Sequence, residues 1–257
     1  MMLPLSSWIM TGNLMKNAEQ KIQACRSELS IIVPMLNELD TLPDLMAHLQ
    51  QWQRLGCEVL LIDGGSDDGS ADIVEAIGFK VIRSARGRAL QMNAGAAAAK
   101  GSILLFLHAD TRLPEDGLEH ILGALKKHRW GRFNVRISGE ALMLRVVAFF
   151  INLRSRLTNI ATGDQALFIE RTLFDKVHGF PAQPLMEDIE LSKRLRYFER
   201  PACLSAKVTT SGRRWIKYGI WRTIRLMWIL RWAYWRGVPA EQLVKRYYRA
   251  ENDEKIP

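Results

Sequence analysis

A regular alternation of short apolar runs with helical segments, beginning at Leu29, constrains the fold of this chain most strongly. Each apolar run has the length of a buried strand, and each segment between two runs has the periodicity of a helix. Strands that alternate with helices in this way build βαβ units around a mostly parallel sheet. The predicted strands are Ser30–Val33, Glu58–Ile62, Lys80–Ile82 and Ile103–Leu107.

The same periodicities predict the remaining elements. Pro34 is expected to turn the chain at the end of the first strand, and Gly101 is expected to close a helix as a C-cap glycine. The predicted helices are Leu42–Leu55, Ala71–Ile77, Gly87–Lys100, a helix from Pro114 to about Lys127, Ala141–Asn159, Glu187–Phe198 and one continuous helix over Trp215–Arg236. Two further strands are predicted over Arg132–Ile137 and Ala166–Ile169.

The chain is basic, and its positive charge is distributed unevenly. The 257 residues carry a net charge of +9. The segment Gly212–Arg249 is rich in Arg and Trp and nearly free of acidic residues. An excess of base indicates an anionic partner, which leaves nucleic acid, a phosphorylated substrate and anionic lipid open.

Cysteine usage and hydropathy favour a cytoplasmic protein. Cys25, Cys57 and Cys203 are far apart and show no CxxC spacing, so no cysteine zinc site is expected. Met1–Met15 lacks a basic segment before an apolar one, so no signal peptide is predicted. No window of about 18 consecutive apolar residues occurs, so no membrane span is predicted. A peripheral position on the inner face of the membrane stays open.

Polar turns follow the predicted strands at the sheet edge where open α/β folds bind ligands. The strand Ile103–Leu107 ends in His108-Ala109-Asp110. A carboxylate one residue from a second ligand suits a divalent cation that holds a diphosphate. The first strand leads into Pro34-Met-Leu-Asn37-Glu38, and the second into Asp63-Gly-Gly65-Ser-Asp-Asp-Gly-Ser70. The structural alternative for each is an ordinary turn or helix cap.

A fourth segment, Gly87-Arg88-Ala-Leu-Gln-Met-Asn93, opens a helix whose N-terminus and Arg would attract phosphate. The small residues Ala94–Ala99 allow a structural alternative, in which this helix simply packs closely on the sheet. No segment has the form of a Walker loop or a GxGxxG fingerprint, so ATPase and dehydrogenase functions are poor interpretations.

Taken in order, the four segments resemble the motifs of the family-2 glycosyltransferases, which have the α/β fold called GT-A, a mostly parallel sheet flanked by helices. The resemblance covers residues 29–215 and implies a nucleotide-diphosphate sugar donor, in the first place a UDP-sugar, with Mn²⁺ or Mg²⁺. It implies metal binding by Asp110 and His108. The donor-binding residues that it implies are Pro34, Asn37, Glu38, Asp63, Gly65, Arg88, Asn93 and Ala109.

Two positions depart from the family pattern. Gly64 stands where the family often has a second Asp, and His108 stands where it often has the first Asp of the metal motif. His can bind Mn²⁺ but is a poor ligand for Mg²⁺, so the second departure bears on the choice of metal.

The second half of the chain continues the resemblance. Met186-Glu187-Asp188 is similar to the family's Glu-Asp motif at a helix start, which makes Asp188 the catalytic base. Inverting sugar transfer needs such a carboxylate to take the proton of the attacking hydroxyl. An interaction with the helix dipole is the structural alternative. The residues to which the resemblance gives an acceptor or diphosphate role are Gly163, Asp164, Gln165, Glu187, Arg213, Arg214 and Trp215.

A basic, Trp-rich helical tail is expected over residues 216–257, after an extension over 1–28 and a catalytic domain over 29–215. Its aromatic stripe contains Trp221, Ile224, Trp228, Trp232 and Trp235. Trp beside Arg suits an anionic membrane surface, whereas a helix buried on its own domain or in a dimer is the alternative. Nucleic acid is not expected as a partner, because no nucleic-acid-binding module is recognised.

The complete set of motifs looks most like the bacterial arsenosugar-biosynthesis-type glycosyltransferases. The function expected from it is inverting transfer of a sugar to an acceptor hydroxyl of unknown identity. One alternative is a sugar-1-phosphate nucleotidylyltransferase, although the segment after the first strand lacks the Gly-rich basic loop that such an enzyme would need. The other alternative is a non-catalytic, membrane-associated module that binds nucleotide sugars.

Overall fold

The computed structural model describes residues 28–252, with side chains up to Tyr248. The predictions made for residues 1–27, including those for Cys25 and for a signal peptide, lie outside this range. The strands are β1 (Leu29–Met35), β2 (Glu58–Asp63), β3 (Lys80–Arg83), β4 (Ile103–Phe106), β5 (Thr111–Arg112), β6 (Trp130–Ile137), β7 (Leu167–Glu170) and β8 (Ala202–Thr210). They form one mixed sheet in the order β3-β2-β1-β4-β7-β6-β8-β5.

Helices cover both faces of this sheet. They are α1 (Leu42–Arg54), α2 (Ser70–Ala76), α3 (Arg88–Ala98), α4 (Gly117–Leu125), α5 (Leu142–Thr158), α6 (Arg171–Lys176), α7 (Glu187–Phe198), α8 (Arg213–Lys217), α9 (Ile220–Trp235) and α10 (Ala240–Asn252). One hydrophobic core contains α1, α2, α4 and α5, and a second contains α3, α6 and α7. The predicted α/β class with a mostly parallel sheet is therefore confirmed.

The first half of the sheet, β3-β2-β1-β4, is entirely parallel. Strands β1, β2 and β4 read as continuous apolar runs because both of their faces are buried. Successive residues of β1 belong to opposite cores: Ile31 and Val33 to the first, Ile32 to the second. This half brings the carboxyl ends of β1, β2 and β4 to one edge.

Pro34 does not turn the chain, and that prediction is wrong. It pairs with Ile62 inside β1, which continues to Met35, and the turn comes at Asn37 with a φ of 54°. Ile32 accepts a hydrogen bond from Leu107 on the β4 side, and Met35 accepts one from Gly64 on the β2 side. Pro34 lies two residues after Ile32, so its backbone nitrogen faces the same side, toward β4. Because β4 has already ended there, the missing N–H of Pro34 removes no hydrogen bond between strands.

The second half of the sheet mixes directions. Strand β7 is antiparallel to both β4 and β6, whereas β6 and β8 are parallel. Strand β8 was not among the predicted strands, because half-buried residues alternate with exposed ones along the middle of ACLSAKVTT. This half brings the residues with a predicted acceptor or diphosphate role to the same edge of the sheet.

Two glycines act differently from the sequence prediction. Gly101 is not a C-cap, because α3 already ends at Ala98; a Cβ at Gly101 would instead collide with the carbonyl oxygen of Glu28. The continuous helix predicted over Trp215–Arg236 is also wrong. Gly219, with a φ of 79°, separates α8 from α9 there. A left-handed residue cannot continue a right-handed helix.

Helix α9 packs on the rest of the domain through one face. Leu230 is fully buried beside Ile160, Met186 and Ile189. Between residues 28 and 252, no helix is both long and apolar enough to span a membrane.

Candidate active site

The turns after β1 and β2 hold one another in place at the carboxyl edge of the sheet. The Asn37 side chain donates to Asp67 Oδ1 (2.8 Å) and accepts from the Asp67 backbone N–H (3.0 Å). The Asn37 backbone N–H donates to Ser66 Oγ (3.0 Å), and that of Leu39 donates to Asp68 Oδ2 (3.0 Å). This reciprocal pairing presents Glu38 at the mouth of the site.

Asp63 is turned into its own loop. Its carboxylate is almost fully buried and accepts hydrogen bonds from the Gly65 N–H (3.1 Å), the Ser66 N–H (3.1 Å) and the Ser66 hydroxyl (2.6 Å). Gly65 has a φ of 88°, which favours glycine. Asp63 shapes the turn here, and its direct contact with a nucleotide stays a prediction.

Gln91 is a positioning residue that the sequence argument missed. Its Nε2 donates to the carbonyl oxygens of Met35 and Ile62, each at 2.8 Å, and so joins the ends of β1 and β2. A Cβ at Gly64 would lie 3.0 Å from this side chain. The crowding gives a physical reason for the glycine at the position where the family often has a second Asp. The sequence signal for this role was a glutamine on the side of the predicted helix that faces the sheet.

Two predicted donor residues of α3 contact the second half of the chain. Asn93 donates to the carbonyl of Phe180 (2.8 Å) and accepts from the Phe180 N–H (3.0 Å). Arg88 lies 3.6 Å from the carboxylate of Glu187. Asn93 therefore clamps a loop, whereas the half-exposed Arg88 remains accessible at the edge.

Asp110 lies beyond β4 among hydroxyl groups. Its Oδ1 is 3.2 Å from Thr111 Oγ1 and 3.4 Å from Thr210 Oγ1, and its carbonyl accepts from the Ser211 N–H (3.1 Å). The half-buried Arg112, which the sequence argument also missed, donates to the carbonyl of Ala109 (2.8 Å). Ala109 itself is buried and contributes this backbone oxygen to the site.

Arg112 lies between the turn after β1 and the turn after β4. Burial lowers the pKa of Arg112, and the carboxylates of Asp44, Asp110 and Glu38 oppose that effect. The guanidinium thus counters the negative charge of Glu38 and Asp110. An arginine directly after a metal-type motif was the sequence signal for this role.

His108 lies against Gly163, in the second half of the domain. Its Nε2 is buried without a hydrogen-bond partner among residues 28–252, and a Cβ at Gly163 would collide with it. Burial, with Arg88 nearby, lowers the pKa of His108 to about 3, so the imidazole is neutral at physiological pH.

Asp188 is held by the backbone of the Gly163 loop. Its Oδ2 accepts the Gly163 N–H (2.9 Å), and its Oδ1 accepts its neighbour's N–H at Ile189 (2.7 Å). Met186, with a φ of 65°, precedes α7 and turns the chain so that Asp188 lies in the first helical turn. Backbone strain of this kind is found at functional sites.

Glu187 is buried beside Asp188. Burial first, and then the charge of Asp188, raise the pKa of Glu187, and the opposing charge of Arg88 limits the rise. Arg88, His108, Gly163, Glu187 and Asp188 therefore form one connected group.

A second charged group lies behind the Gly163 loop. Burial raises the pKa of Asp164, whose Oδ1 has no partner in the part of the chain that the structure describes. Arg154 and Arg231 stabilise its charged form, and burial lowers the pKa of Arg154 to about 10. The two arginines bring positive charge close to Asp188 from outside the predicted motifs.

Gln165 serves the shape of the loop. Its side chain accepts from the Thr162 N–H (3.2 Å), which forms a capping box around Gly163–Gln165. Its Nε2 is 3.4 Å from the carbonyl of Phe133. The predicted acceptor-side role of Gln165 is supported here only as positioning.

The three residues of the predicted basic segment after β8, Arg213, Arg214 and Trp215, have different surroundings. Exposed Arg213 binds Ser211 Oγ through its Nε (3.2 Å) and lies on the side of Arg112. The guanidinium of Arg214 stacks instead over the ring of Tyr247, 4.2 Å from its centroid. Trp215 packs against the first core. Of the three residues, Arg213 is the one whose charge acts on Arg112.

The site suits a divalent metal that is bound at Asp110 and is not enclosed by protein ligands on all sides. Asp110 Oδ2 has no hydrogen-bond partner within residues 28–252 and is available to an ion. His108 would offer Nδ1, since Gly163 covers Nε2. The described residues form no group of three or more His, Cys, Asp or Glu side chains able to hold a metal. An ion at Asp110 would take further ligands from a diphosphate and water.

Gly163→Ala is expected to destabilise the protein by about 1–3 kcal/mol, because the new methyl group overpacks His108. Thermal unfolding measures this loss. The matched control is Gly123→Ala on α4, where a Cβ meets open space, and it should be neutral or slightly stabilising. His108→Ala should restore stability in the Gly163→Ala background. An unchanged melting temperature for Gly163→Ala alone would contradict the packing described above.

Comparison with known proteins gives a family and a fold. The model of the family described as Glycosyl transferase family 2 matches residues 30–170. A curated relative is the undecaprenyl-phosphate 4-deoxy-4-formamido-L-arabinose transferase of Pseudomonas fluorescens (strain Pf0-1), 28% identical over 109 residues. That match covers 38% of this chain and 32% of the relative, so it spans about a third of the relative's length.

Two solved structures have the same fold. The mannosyltransferase PcManGT from Pyrobaculum calidifontis, in complex with GDP-Man and Mn²⁺, aligns with a TM-score of 0.61 at 18% identity, covering 87% of this chain and 68% of that one. S. aureus TarS 1-349 in complex with UDP-GlcNAc aligns with a TM-score of 0.57 at 18% identity, covering 72% and 58%. The likeness confirms the predicted GT-A-like arrangement of sheet and helices.

Proposed function

Because the chain belongs to glycosyl transferase family 2, we propose that it moves a sugar from a nucleotide-diphosphate sugar to an acceptor hydroxyl, with inversion at the anomeric carbon. The family match ends at residue 170, so the role of Asp188 has to be argued from its surroundings. The observation that carries the proposal is the pair of carboxylates, Asp110 and Asp188, on the two halves of one sheet edge.

The donor would bind over the first half of the sheet. Asn37, Glu38 and the loop that Asp63 shapes line the place where a nucleotide binds in α/β folds, at the carboxyl ends of the strands. Asp110 and His108 would hold a divalent metal, which supplies charge neutralisation for the diphosphate leaving group. Arg213 would add positive charge on the same side. A uridine or guanosine diphosphate sugar is the first donor class to test, since the similar structures hold UDP-GlcNAc and GDP-Man.

Asp188 would act as the general base. Its two oxygens accept backbone N–H groups, which fix the orientation of the side chain at the N-terminus of α7. A carboxylate held in this way can accept the proton of the acceptor hydroxyl as its oxygen attacks the anomeric carbon. The contact between Glu187 and Arg88 would hold the start of α7 in position beside the diphosphate of the donor. The arsenosugar-type subgroup stays a prediction, as does the acceptor.

Hydrolysis of the donor by water tests this function without a known acceptor. UDP-glucose, UDP-GlcNAc and GDP-mannose are incubated with the protein and Mn²⁺ or Mg²⁺, and the products are followed by NMR. We expect release of a nucleoside diphosphate, with the sugar of an α-linked donor appearing first as its β-anomer. Formation of UTP and glucose 1-phosphate from UDP-glucose when pyrophosphate is added would favour a nucleotidylyltransferase instead. Donor binding without any product would favour the non-catalytic module.

A further inference from the structure

We propose that α5 and α9 together form a surface that binds an anionic lipid bilayer, an inference that goes beyond the proposed function and does not depend on it. The aromatic surface, as it is called below, consists of large apolar side chains exposed on these two helices. They are Leu142, Val146, Phe149, Phe150, Leu153 and Leu157 of α5, and Trp221, Trp228, Ile229, Trp232 and Trp235 of α9. Contiguous exposed apolar area of this kind marks an interaction site.

The exposure follows from how each helix packs. Helix α9 buries Thr223, Leu230 and Ala233, so the tryptophan stripe on the opposite face points outward. Trp228 is 75% exposed and Trp235 is 77% exposed. Within residues 28–248, the helix is therefore packed on its own domain through Leu230, and its tryptophans are exposed.

Helix α5 repeats the same design, which the sequence argument did not anticipate. Leu144, Val147 and Ala148 pack in the first core. The exposed positions recur every three or four residues and so lie along one side of the helix. A helix with apolar residues on both faces needs a second partner besides its own core.

The two helices pack against the same hydrophobic core. Leu144 of α5 belongs to the first core, and Ile220 and Ile224 of α9 pack against it. Further along, Arg231 of α9 is close enough to Arg154 of α5 to lower its pKa. The exposed stripes are thus carried by neighbouring helices.

Charge favours lipid as the occupant of this region. Helix α5 has no acidic residue, and Arg200–Ala240 has none either. The exposed arginines among the apolar residues are Arg145, Arg156, Arg225 and Arg236. Trp and Arg side by side suit the headgroup boundary of an anionic bilayer, where the ring enters the acyl region and the cation meets phosphate. A symmetric dimer would press arginines against arginines with no carboxylate to pair them, which is unfavourable.

The aromatic surface adjoins the candidate active site. Leu230 of α9 packs on Met186 and Ile189, which flank Glu187 and Asp188 at the start of α7. The Tyr234 hydroxyl of α9 donates a hydrogen bond to Glu190 Oε2 of α7 (3.3 Å). A bilayer on this surface would therefore bring the acceptor side of the site close to the plane of the headgroups.

Vesicle co-sedimentation tests the proposal with the full chain. The vesicles contain phosphatidylcholine alone, or phosphatidylcholine and phosphatidylglycerol in equal parts. We expect binding to the anionic vesicles and a fall in binding as salt rises, because salt screens the arginines. Trp228→Ala with Trp232→Ala should weaken binding about tenfold or more. Arg145→Gln with Arg225→Gln should weaken it by a similar factor and reduce its dependence on salt.

The matched control is Ile77→Ala with Tyr197→Ala, two exposed apolar residues outside the aromatic surface, and it should bind like the parent. Melting curves of all variants separate lost binding from lost folding. Quenching of Trp emission by brominated phosphatidylcholine, reduced in the Trp variant, would place the rings in the acyl region. Failure of the parent to bind anionic vesicles would overturn the proposal. A dimer in solution that Trp228→Ala with Trp232→Ala dissolves would also overturn it, in favour of a second copy.

Discussion

Replacing Asp188 by Asn is expected to lower kcat by about 10²-fold or more, as the loss of a general base does, and to leave donor affinity nearly unchanged. The amide keeps the size of the side chain, and its oxygen can still accept the Gly163 N–H that now binds Oδ2. It cannot take up the acceptor proton. Steady-state turnover at saturating substrate and calorimetric titration with a nucleoside diphosphate measure the two quantities.

The matched control for Asp188→Asn is Glu190→Gln, a carboxylate in the same first turn of α7 that forms ion pairs with Lys193 and Arg194. It removes one negative charge from that turn without touching the Gly163 loop. Its turnover should stay close to that of the parent. If Asp188→Asn kept full turnover at saturating substrate, Asp188 would have no part in the chemistry.

Asp110→Ala is expected to abolish the metal-dependent part of nucleoside diphosphate binding. The variant removes the carboxylate oxygen that is open to an ion, whereas Asn37, Glu38 and the Asp63 loop stay in place. Calorimetry with UDP or GDP, with and without Mn²⁺, measures the difference. For the parent, Mn²⁺ should raise affinity; for the variant, the two titrations should coincide at the parent's metal-free value.

Asp116→Ala provides the control for Asp110→Ala. Asp116 is an exposed carboxylate six residues further along the chain, paired with His120 at the start of α4, and its removal should leave the effect of Mn²⁺ unchanged. Equal affinity of the parent in the presence and absence of Mn²⁺ would contradict a metal at Asp110. That outcome would still leave Asp188 and the proposed transfer open to the test above.

Strands β1, β2 and β4 of the parallel half could be predicted from sequence because each is buried on both faces and reads as one apolar run. Helix α7 was predicted with the same ends that the structure shows, Glu187–Phe198. Strand β8 escaped because half-buried residues alternate with exposed ones along its middle, so it has no continuous apolar run. Pro34 misled because its effect depends on whether a neighbouring strand still needs its N–H, which the sequence does not show.

The candidate site was predictable in its residue types but not in its contacts. Asp188 was singled out, yet its partner, the Gly163 N–H, lies 25 residues away and donates from the backbone, so no pattern reveals it. Asp63 and Asn93 carry motif positions but direct their polar atoms into the protein. Gln91 and Arg112 do comparable positioning work from positions that no motif marks.

The segment His108–Asp110, which lies beyond β4, has a thermodynamic consequence for the proposed transfer. His108 lies against Gly163, whose backbone N–H binds Asp188, and Asp110 lies two residues further along the chain. A metal-bound donor that shifted Asp110 would therefore act on the same short loop that holds Asp188. Allosteric reciprocity would then require donor and acceptor to change each other's binding free energy by an equal amount.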